Sequence, residues 1–334
     1  MKRNDEHDLP QGLYERVITE RLAALIGERT GFQTRDLGGS EAPRVLGRHL
    51  GDYISRAIQT VPERDRPTAQ VAIANALIAA ISDVAPKFYD TGDEVRPQLP
   101  LSAMAGGAAV PQRPELPLSE SGLYVNANRE RRVGLALMRE MASADRVDLI
   151  CAFLFWAGYR ELRQVIRHHL ESGRQLRVLT TTYRGVTQSR VLDELVELGA
   201  DVRVSYNTDA TRLHAKAWLF HRASGFSTAF VGSSNLSSSA LTAGLEWNVR
   251  LSEIENHGVL EEFRGAFEAY WADAEFEPYD PARFAIEVAA QRPDDGLRAV
   301  FGIVARPHQR AILAKLAGER EEGRHRNLVV AATG

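Results

Sequence analysis

Apolar positions near the start of the chain recur at the spacing of one helix face. They are Tyr14, Val17, Ile18, Leu22, Leu25 and Ile26. Residues 71–81, VAIANALIAAI, are rich enough in alanine and other apolar side chains to form a buried helix. Pro43 and Pro67 suit the first turn of a helix, where the missing backbone N–H costs nothing. The pattern predicts an all-helical N-terminal domain over residues 1–89, which we interpret as a packing or docking module.

The helical period ends near residue 90. The stretch that follows contains Gly106, Gly107 and several prolines. These prolines are Pro97, Pro100, Pro111, Pro114 and Pro117. Because proline sustains neither a helix interior nor a central strand, residues 90–121 are predicted to be a linker.

From residue 122 to residue 275, strand-like and helix-like periods alternate. Apolar runs typical of strands lie at residues 147–154, 176–182, 200–205, 212–220, 227–234 and 246–252. Helical spacing occurs at residues 159–170 and 189–198. It also occurs in Val133, Leu137 and Met141, which follow a candidate helix cap at Asn128. A last helix is indicated by Leu260, Phe263, Phe267 and Tyr270. Alternation that gives way to adjacent strands predicts an α/β fold with a mixed β-sheet flanked by helices. Residues 276–296 are predicted to be a connector with some helical content.

The composition limits the possible classes of function. With 44% hydrophobic and 25% charged residues, the chain has the composition of a globular protein. Its net charge of −3 means that any basic surface for nucleic acid must be local. Cys151 is the only cysteine, which excludes an intramolecular disulfide and a cysteine-based zinc cluster. There is no signal-peptide core and no run of the ~18–20 apolar residues that span a bilayer, so we expect a cytoplasmic protein without membrane contact.

The segment LHAKAWLF, residues 213–220, combines an imidazole and an ammonium group on one strand. A period of two puts His214 and Lys216 on one face together with Trp218 and Phe220. Lysine supplies a compact charge to phosphate oxygens, and histidine can attack phosphorus or transfer a proton near neutral pH. Only four of the 41 basic residues are lysines, so a lysine at this position indicates that arginine would not serve.

The segment STAFVGSSN, residues 227–235, supplies complementary groups at the end of the next strand. Gly232 lets the backbone approach an oxyanion, and Ser233 and Asn235 can donate hydrogen bonds to it. The helix expected next favours negative charge at its start. Glu246 can accept a hydrogen bond from the second ring nitrogen of His214 and fix its tautomer. The candidate catalytic residues are thus His214, Lys216, Asn235 and Glu246, and the candidate phosphate-binding residues are Gly232 and Ser233.

The order of these motifs resembles the active-site pattern of the phospholipase D-like superfamily. The matching motifs are His214-x-Lys216, Gly232-Ser233-x-Asn235 and, as in the nuclease branch, Glu246-Trp247-Asn248. The resemblance covers residues 122–275. It implies that His214 attacks phosphorus to form a phosphohistidine, while a second His214 protonates the leaving oxygen. It also implies that Lys216 and Asn235 hold the non-bridging oxygens, with no metal or cofactor.

One position departs from that pattern. The family places an aspartate five residues after the lysine, where this chain has His221. The aspartate is usually treated as supporting rather than reacting. An alternative interpretation is therefore a retained fold with a weak or inactive site, which only binds DNA and dimerises.

The number of histidine motifs predicts the oligomeric state. The implied chemistry needs two histidines, and this chain contains a single His-x-Lys. A two-fold axis that brings two His214 side chains together would complete the site, so we expect a homodimer through residues 122–275.

The end of the chain, residues 297–334, resembles the start of a superfamily-two helicase. RPHQ places Gln309 where that family reads adenine, and NLVVAATG ends at Gly334 where its phosphate-binding loop begins. The lysine and hydroxyl residue that bind ATP and Mg²⁺ would follow in the missing remainder of such a domain, so this chain should have no useful ATPase activity. A simple terminal strand is the alternative.

The helicase-like end favours DNA as the substrate. Arg184, Arg190 and Arg212 lie near predicted strand ends and are candidate contacts to the DNA backbone, although ordinary solvated arginines remain an alternative. We expect a metal-independent nuclease connected with DNA processing, repair or defence. Phosphatidyl transfer on lipid is a further alternative, which the lack of a membrane element argues against.

Overall fold

A computed structural model describes most of the chain in two compact units, residues 1–104 and residues 105–334. The described residues are 13–14, 16–27, 31–66, 68–87, 91–96, 101–102, 112–126, 132–207, 213–242, 246–291, 309 and 311–316. The helices are Glu20–Ile26 (α1), Ala42–Gln59 (α2), Thr68–Val84 (α3), Val133–Ser143 (α4), Trp156–Glu171 (α5), Ser189–Glu197 (α6), Ser238–Thr242 (α7), Glu253–Ala272 (α8) and Pro281–Ala290 (α9). The strands are Gly122–Tyr124 (β1), Arg146–Cys151 (β2), Gln175–Thr181 (β3), Asp201–Ser205 (β4), Lys216–His221 (β5), Thr228–Gly232 (β6), Asn248–Ser252 (β7) and Phe276–Pro278 (β8).

The first unit contains α1, α2 and α3, as the apolar spacing predicts. The Thr19 hydroxyl caps α1 by accepting a hydrogen bond from the backbone of Leu22, and a proline lies in the first turn of α2. Leu46, Leu50 and Tyr53 follow one face of α2 and are exposed. Pro67 lies outside the described residues.

The second unit is built on one eight-stranded sheet of order β1-β7-β6-β5-β2-β3-β4-β8. The strands β2, β3 and β4 are parallel, because α5 and α6 return the chain to the same end between them. All other neighbouring pairs are antiparallel. The predicted fold class, a mixed sheet flanked by helices and preceded by a helical region, is confirmed.

Strand register brings several chain segments to the same edge of this sheet. Cys151 at the end of β2 lies opposite Lys216 at the start of β5. Gly232 at the end of β6 lies opposite Asn248 at the start of β7. We call this the upper edge: it holds the ends of β2, β3, β4 and β6 and the starts of β5 and β7.

Alternate strand residues pack on opposite faces of the sheet. Trp218 and Phe220 of β5 belong to the main core under α4, α5 and α6. Ala217 packs on the other side with Phe267 of α8, and Leu219 packs there with Leu260. This agrees with the period of two in LHAKAWLF.

A buried ionic cluster joins α4 to β7. Glu140 accepts a hydrogen bond from Arg250 Nε at 2.7 Å and one from Arg222 Nη2 at 2.6 Å. The Thr228 hydroxyl donates to the same carboxylate at 2.7 Å. All four side chains are buried, so each charge depends on this pairing.

A second ionic cluster lies beneath α8. The buried Asp148 carboxylate on β2 accepts two hydrogen bonds from Arg177 on β3, at 2.7 and 2.8 Å. Arg177 also donates to Glu268 of α8 at 2.7 Å. His221, at the end of β5, lies 2.6 Å from Asp148 through its Nε2. The residue that departs from the family pattern is therefore part of this cluster.

One predicted helix end agrees with the structure, and two strands are additional to the prediction. Gly199, with φ of 97°, follows the last turn of α6 as expected for a glycine after a helix. The three-residue strands β1 and β8 were not predicted, and β8 pairs with β4 inside the segment assigned as a connector. Such short strands give no measurable period of two.

Other predictions concern residues of which the structure describes few or none. Asn128, the linker glycines, Arg212 and Gly334 lie outside the described residues. In the helicase-like segment, Gln309 and residues 311–316 are helical. Within the described part of the chain, no helix combines the length and apolar character needed to cross a membrane.

Candidate active site

The two motif residues of β5 are in direct contact at the upper edge. Lys216 is buried at the first position of the strand, and His214 is exposed just before it. Lys216 Nζ lies 2.8 Å from His214 Nδ1 and donates to the His214 carbonyl oxygen at 2.6 Å. The lysine therefore holds both the ring and the backbone of the histidine.

The surroundings of this pair weaken its proton affinity. Burial lowers the pKa of His214 below its ordinary value, and the charges of Lys216 and Arg184 lower it further. Burial also lowers the pKa of Lys216, although the nearby Cys151 thiol and Glu246 carboxyl act in the opposite direction. A depressed histidine pKa keeps the imidazole neutral near pH 7, which is the state that attacks an electrophile.

Aromatic residues form one wall of the site. The Phe153 ring meets the His214 ring edge-on at 5.8 Å, and Lys216 Nζ lies 5.8 Å from the Phe153 centroid. Tyr183 stacks with Phe153, with 6.5 Å between the ring centroids. Sequence reasoning missed both aromatic residues, because Phe153 ends an apolar run and nothing there separates a site residue from the core.

The loop after β6 is fixed by its neighbours. A Cβ atom on Gly232 would lie 2.2 Å from the Trp247 carbonyl oxygen, so only glycine fits at this position. The Ser233 N–H donates to the same oxygen at 3.0 Å, and the Trp247 N–H donates to the Ser233 hydroxyl at 3.1 Å. These two bonds continue the pairing one step beyond the last residue of β6 and the first residue of β7.

The same pairing places Glu246 beside Ser233. The Ser233 hydroxyl donates a short hydrogen bond to the Glu246 carboxylate. The hydrogen bond from His214 to Glu246 stays a prediction.

Asn235 has an unsatisfied acceptor. Its Oδ1 atom is buried and has no hydrogen-bond partner in the structure. The next residue, Leu236, donates to the Phe153 carbonyl at 3.3 Å and accepts from the Phe155 N–H at 2.9 Å. Gly158 lets α5 approach closely here, because a Cβ atom on it would lie 2.4 Å from the Leu236 backbone. The loop after β6, which contains Asn235, is thus hydrogen-bonded to the loop after β2, which contains Phe153.

Two of the three candidate arginines are described, and both lie on the loop and helix after β3. Arg184 is exposed, and its guanidinium lies 5.5 Å from the Tyr183 ring centroid. It has a left-handed backbone, with φ of 63°, which is strained for a residue other than glycine. Arg190 is exposed on α6 and lies 3.6 Å from the Trp156 centroid.

An open cavity of about 340 Å³ lies beside His214 on the α8 side of the sheet. It is lined by Leu213, His214, Ala215, Tyr270, Asp273, Glu275 and Phe276. His214 is thus among the residues that line this space, together with the acidic Asp273 and Glu275.

Among the described residues, Glu253, His257 and Glu261 of α8 are close enough together to share a metal ion. They follow the end of β7, at the opposite edge from His214. Arg264 already forms ion pairs with both of these carboxylates. This group is separate from the candidate active site.

A comparison with protein families finds a match over the part of the chain that holds the site. Residues 137–271 match the family model described as "Cardiolipin synthase, PLD-like domain". No curated protein matches the chain.

Several solved structures are similar to parts of the chain. NucT from Helicobacter pylori is 14% identical over 48% of this chain and 99% of its own, with a TM-score of 0.39. Nuc from Salmonella typhimurium, a phospholipase D family member, is 15% identical over the same shares, with a TM-score of 0.37. Phosphatidylserine synthase of Haemophilus influenzae is 12% identical over 61% of this chain and 45% of its own, with a TM-score of 0.34.

Proposed function

We propose, from the phospholipase D-like domain of residues 137–271, that this protein is a metal-independent phosphodiesterase that cleaves DNA through a phosphohistidine. The observation that carries the proposal is the contact of 2.8 Å between Lys216 Nζ and His214 Nδ1 beside an open cavity. A neutral imidazole and a cation that makes no ion pair with any described carboxylate suit attack on a phosphodiester.

The proposed first step transfers the phosphoryl group to the protein. Lys216 first turns from the ring to the non-bridging oxygens, where the Asn235 amide donates as well, and the ring proton moves through solvent from Nε2 to the freed Nδ1. His214 Nε2 then forms a bond to phosphorus while the bond from phosphorus to the leaving oxygen breaks. In the second step water attacks phosphorus and gives its proton to the second imidazole, the bond from phosphorus to His214 breaks, and a phosphate monoester is left.

The leaving oxygen needs a proton, which we assign to the His214 of a second copy. Support for a homodimer comes from an exposed apolar strip next to the site. Leu123, Val249 and Val231 are neighbours across β1, β7 and β6, and each is more than 40% exposed. Trp247, which is 65% exposed, extends the strip to the upper edge. Large exposed apolar patches mark protein interfaces.

The dimer can be tested by measuring mass in solution together with cleavage. Val249→Glu should give a monomer that no longer cuts DNA, because a charge interrupts the strip. The control is Val259→Glu on α8, where the parent side chain is 48% exposed away from the strip. A Val249→Glu protein that stays dimeric and active would show that the strip is not the dimer interface.

The position of His221 supports an active site rather than an inactive one. His221 lies five residues along β5 from Lys216, which is about 16 Å at the rise of a strand. It contacts Asp148, so a carboxylate is present at this end of the strand from a neighbouring strand. The departure from the family pattern therefore lies far from the reacting groups.

DNA is the proposed substrate for two reasons. Arg184 lies close enough to His214 to lower its pKa, so a cation is available for a phosphate next to the cleaved one. The end of the chain, from Gln309 to Gly334, resembles the start of a helicase domain, and we propose that the nuclease is naturally joined to one.

The function is tested with labelled DNA in the presence of EDTA. We expect cleavage by the parent chain, loss of cleavage in His214→Ala, and unchanged cleavage in His168→Ala, an exposed histidine on α5. A requirement for Mg²⁺, or normal cleavage by His214→Ala, would refute the proposal. DNA binding without product in every variant would instead support a DNA-binding and dimerisation module, and turnover of phosphatidyl lipid in vesicles would support the lipid alternative.

A further inference from the structure

Two stacks of aromatic and arginine side chains lie at the upper edge after β2 and β3, on the same side of β5 in the strand order. In the first, the Trp156 ring lies 3.6 Å from the Arg190 guanidinium and 5.9 Å from that of Arg163. In the second, the Tyr183 ring centroid lies 6.5 Å from that of Phe153 and 5.5 Å from the guanidinium of Arg184. Nothing in the proposed reaction at phosphorus requires either stack.

Hydrogen bonds join the two stacks into one surface beside the reacting group. The Trp156 N–H donates to the side chain of Gln188 at 2.5 Å, and the Gln188 N–H donates to the Leu154 carbonyl at 3.0 Å. Leu154 follows Phe153, which contacts the His214 ring. Trp156, Tyr183 and His214 are thus held by adjoining loops at the ends of β2 and β3 and the start of β5.

The upper-edge stacks differ from the other arginine–aromatic contacts of the domain. Arg177, which lies over Phe267 and Trp271, is buried and is paired with Asp148 and Glu268. Such an arginine is neutralised by its partners and belongs to the packing of α8.

Arg184 and Arg190 have the opposite character. Both are exposed, and the ion pairs recorded for the described residues include neither of them. Arg184 is held with a φ of 63°, a strained conformation of the kind that clusters at ligand sites. Exposed cations on aromatic rings offer flat surfaces on which a base can stack, next to charges for its phosphates.

We propose that Trp156 and Tyr183, each with its arginine, stack against unpaired bases of the strand whose phosphodiester lies at His214, so that the enzyme selects single-stranded DNA. Bases in a duplex are already stacked and paired, and their faces cannot reach these rings. The inference rests on the proposed function, because it needs a DNA strand at His214.

The test compares the affinity of the full chain for three ligands with identical phosphate numbers: a single strand, the same strand with abasic sites, and a duplex. Phosphorothioate linkages keep the ligands intact, and EDTA suppresses contaminating metal-dependent nucleases. Stacking on one aromatic residue changes affinity by about 5- to 150-fold, so the parent chain should bind the normal strand more tightly than the abasic strand by at least about 5-fold. The duplex should resemble the abasic strand.

Variants at position 156 separate stacking from packing and charge. Trp156→Leu keeps apolar bulk but offers no ring, and should reduce the preference for bases over abasic sites to near unity. Trp156→Tyr should keep most of it. Neither substitution alters charge, so the slope of log affinity against log salt should stay the same.

An arginine pair supplies the matched control for charge. Arg190→Ala should weaken binding of the normal strand more than Arg167→Ala does. Both variants lose one positive charge, but Arg167 lies on α5 about 16 Å along the helix axis from Trp156. If the parent chain cuts DNA but binds normal and abasic strands equally, the stacking inference is wrong and the proposed function stands. If it neither binds nor cuts DNA, the proposed function fails first.

Discussion

Replacing Glu140 by glutamine tests how much the buried ionic cluster between α4 and β7 stabilises the domain. In the parent chain this carboxylate accepts hydrogen bonds from Arg250, Arg222 and Thr228 at 2.6–2.7 Å. Arg250 is fully buried and Arg222 nearly so. Glu140→Gln keeps the shape and one acceptor, but leaves two buried guanidinium groups without a counter-charge.

The expected loss of stability follows from that geometry. Removing one partner of a buried ion pair costs about 3–5 kcal/mol, because the charge left behind stays desolvated. This is a large part of the about 5–15 kcal/mol that stabilises a typical domain. At about 2–4 °C per kcal/mol for a domain of this size, the melting temperature should fall by about 6–20 °C.

Urea unfolding followed by circular dichroism measures the effect, with the denaturant slope as a check that the unfolded states are comparable. The control is Glu268→Gln: this carboxylate bonds Arg177 but is 52% exposed, and Arg177 keeps Asp148. An exposed pair of this kind contributes about 0–1 kcal/mol. If the two variants lose similar free energy, the Glu140 cluster does not join α4 to β7 as argued.

Three further outcomes follow from the site and the fold. The pKa of His214 is lowered by burial and nearby cations, so the acid limb of kcat/KM, which reports protonation of the attacking imidazole, should lie below histidine's ordinary range. The donating His214 of the second copy must be protonated and adds a separate limb on the alkaline side. An acid limb at or above histidine's ordinary range in initial-rate measurements would contradict a neutral nucleophile. Burial opposes ionisation of Asp148, but hydrogen bonds from His221 and Arg177 outweigh it and lower its pKa. Its stabilising effect should therefore be present above the unfolded-state pKa and be lost as pH falls through the lower folded value, so the stability gap between the parent chain and Asp148→Asn should narrow only in acid, as urea unfolding at a series of pH values will show. Gly232→Ala should unfold or displace the Ser233 loop and abolish cleavage, since its Cβ would lie 2.2 Å from the Trp247 carbonyl, whereas Gly258→Ala, with open space around it, should leave cleavage unchanged.

The sequence predicts the part of the site that depends on local geometry. A strand period of two is enough to put His214 and Lys216 within reach of one another, and the observed contact of 2.8 Å needs nothing more distant than two residues. Gly232 and Ser233 lie where the apolar run of β6 predicts the end of a strand.

Contacts between distant segments could not be predicted in this way. His221 and Asp148 are 73 residues apart and meet only because β5 inserts beside β2. The partner of Glu246 depends on the pairing of β6 and β7 one step beyond their ends. Phe153 and Tyr183 become site residues because β2 and β3 are parallel neighbours, an arrangement that their own sequences do not encode.

The arrangement of charge explains how a chain of net charge −3 can present a site for an anion. Within the sheet, Arg177 and Arg250 are each matched by a buried carboxylate. At the upper edge, Lys216 and Arg184 make no ion pair with the carboxylates of the described residues. These two cations act on the His214 ring, whereas the matched ones are internal, so the positive charge offered to an anion is local even though Asp273 and Glu275 line the neighbouring cavity. The proposed phosphodiester would supply the counter-charge that Lys216 and Arg184 lack.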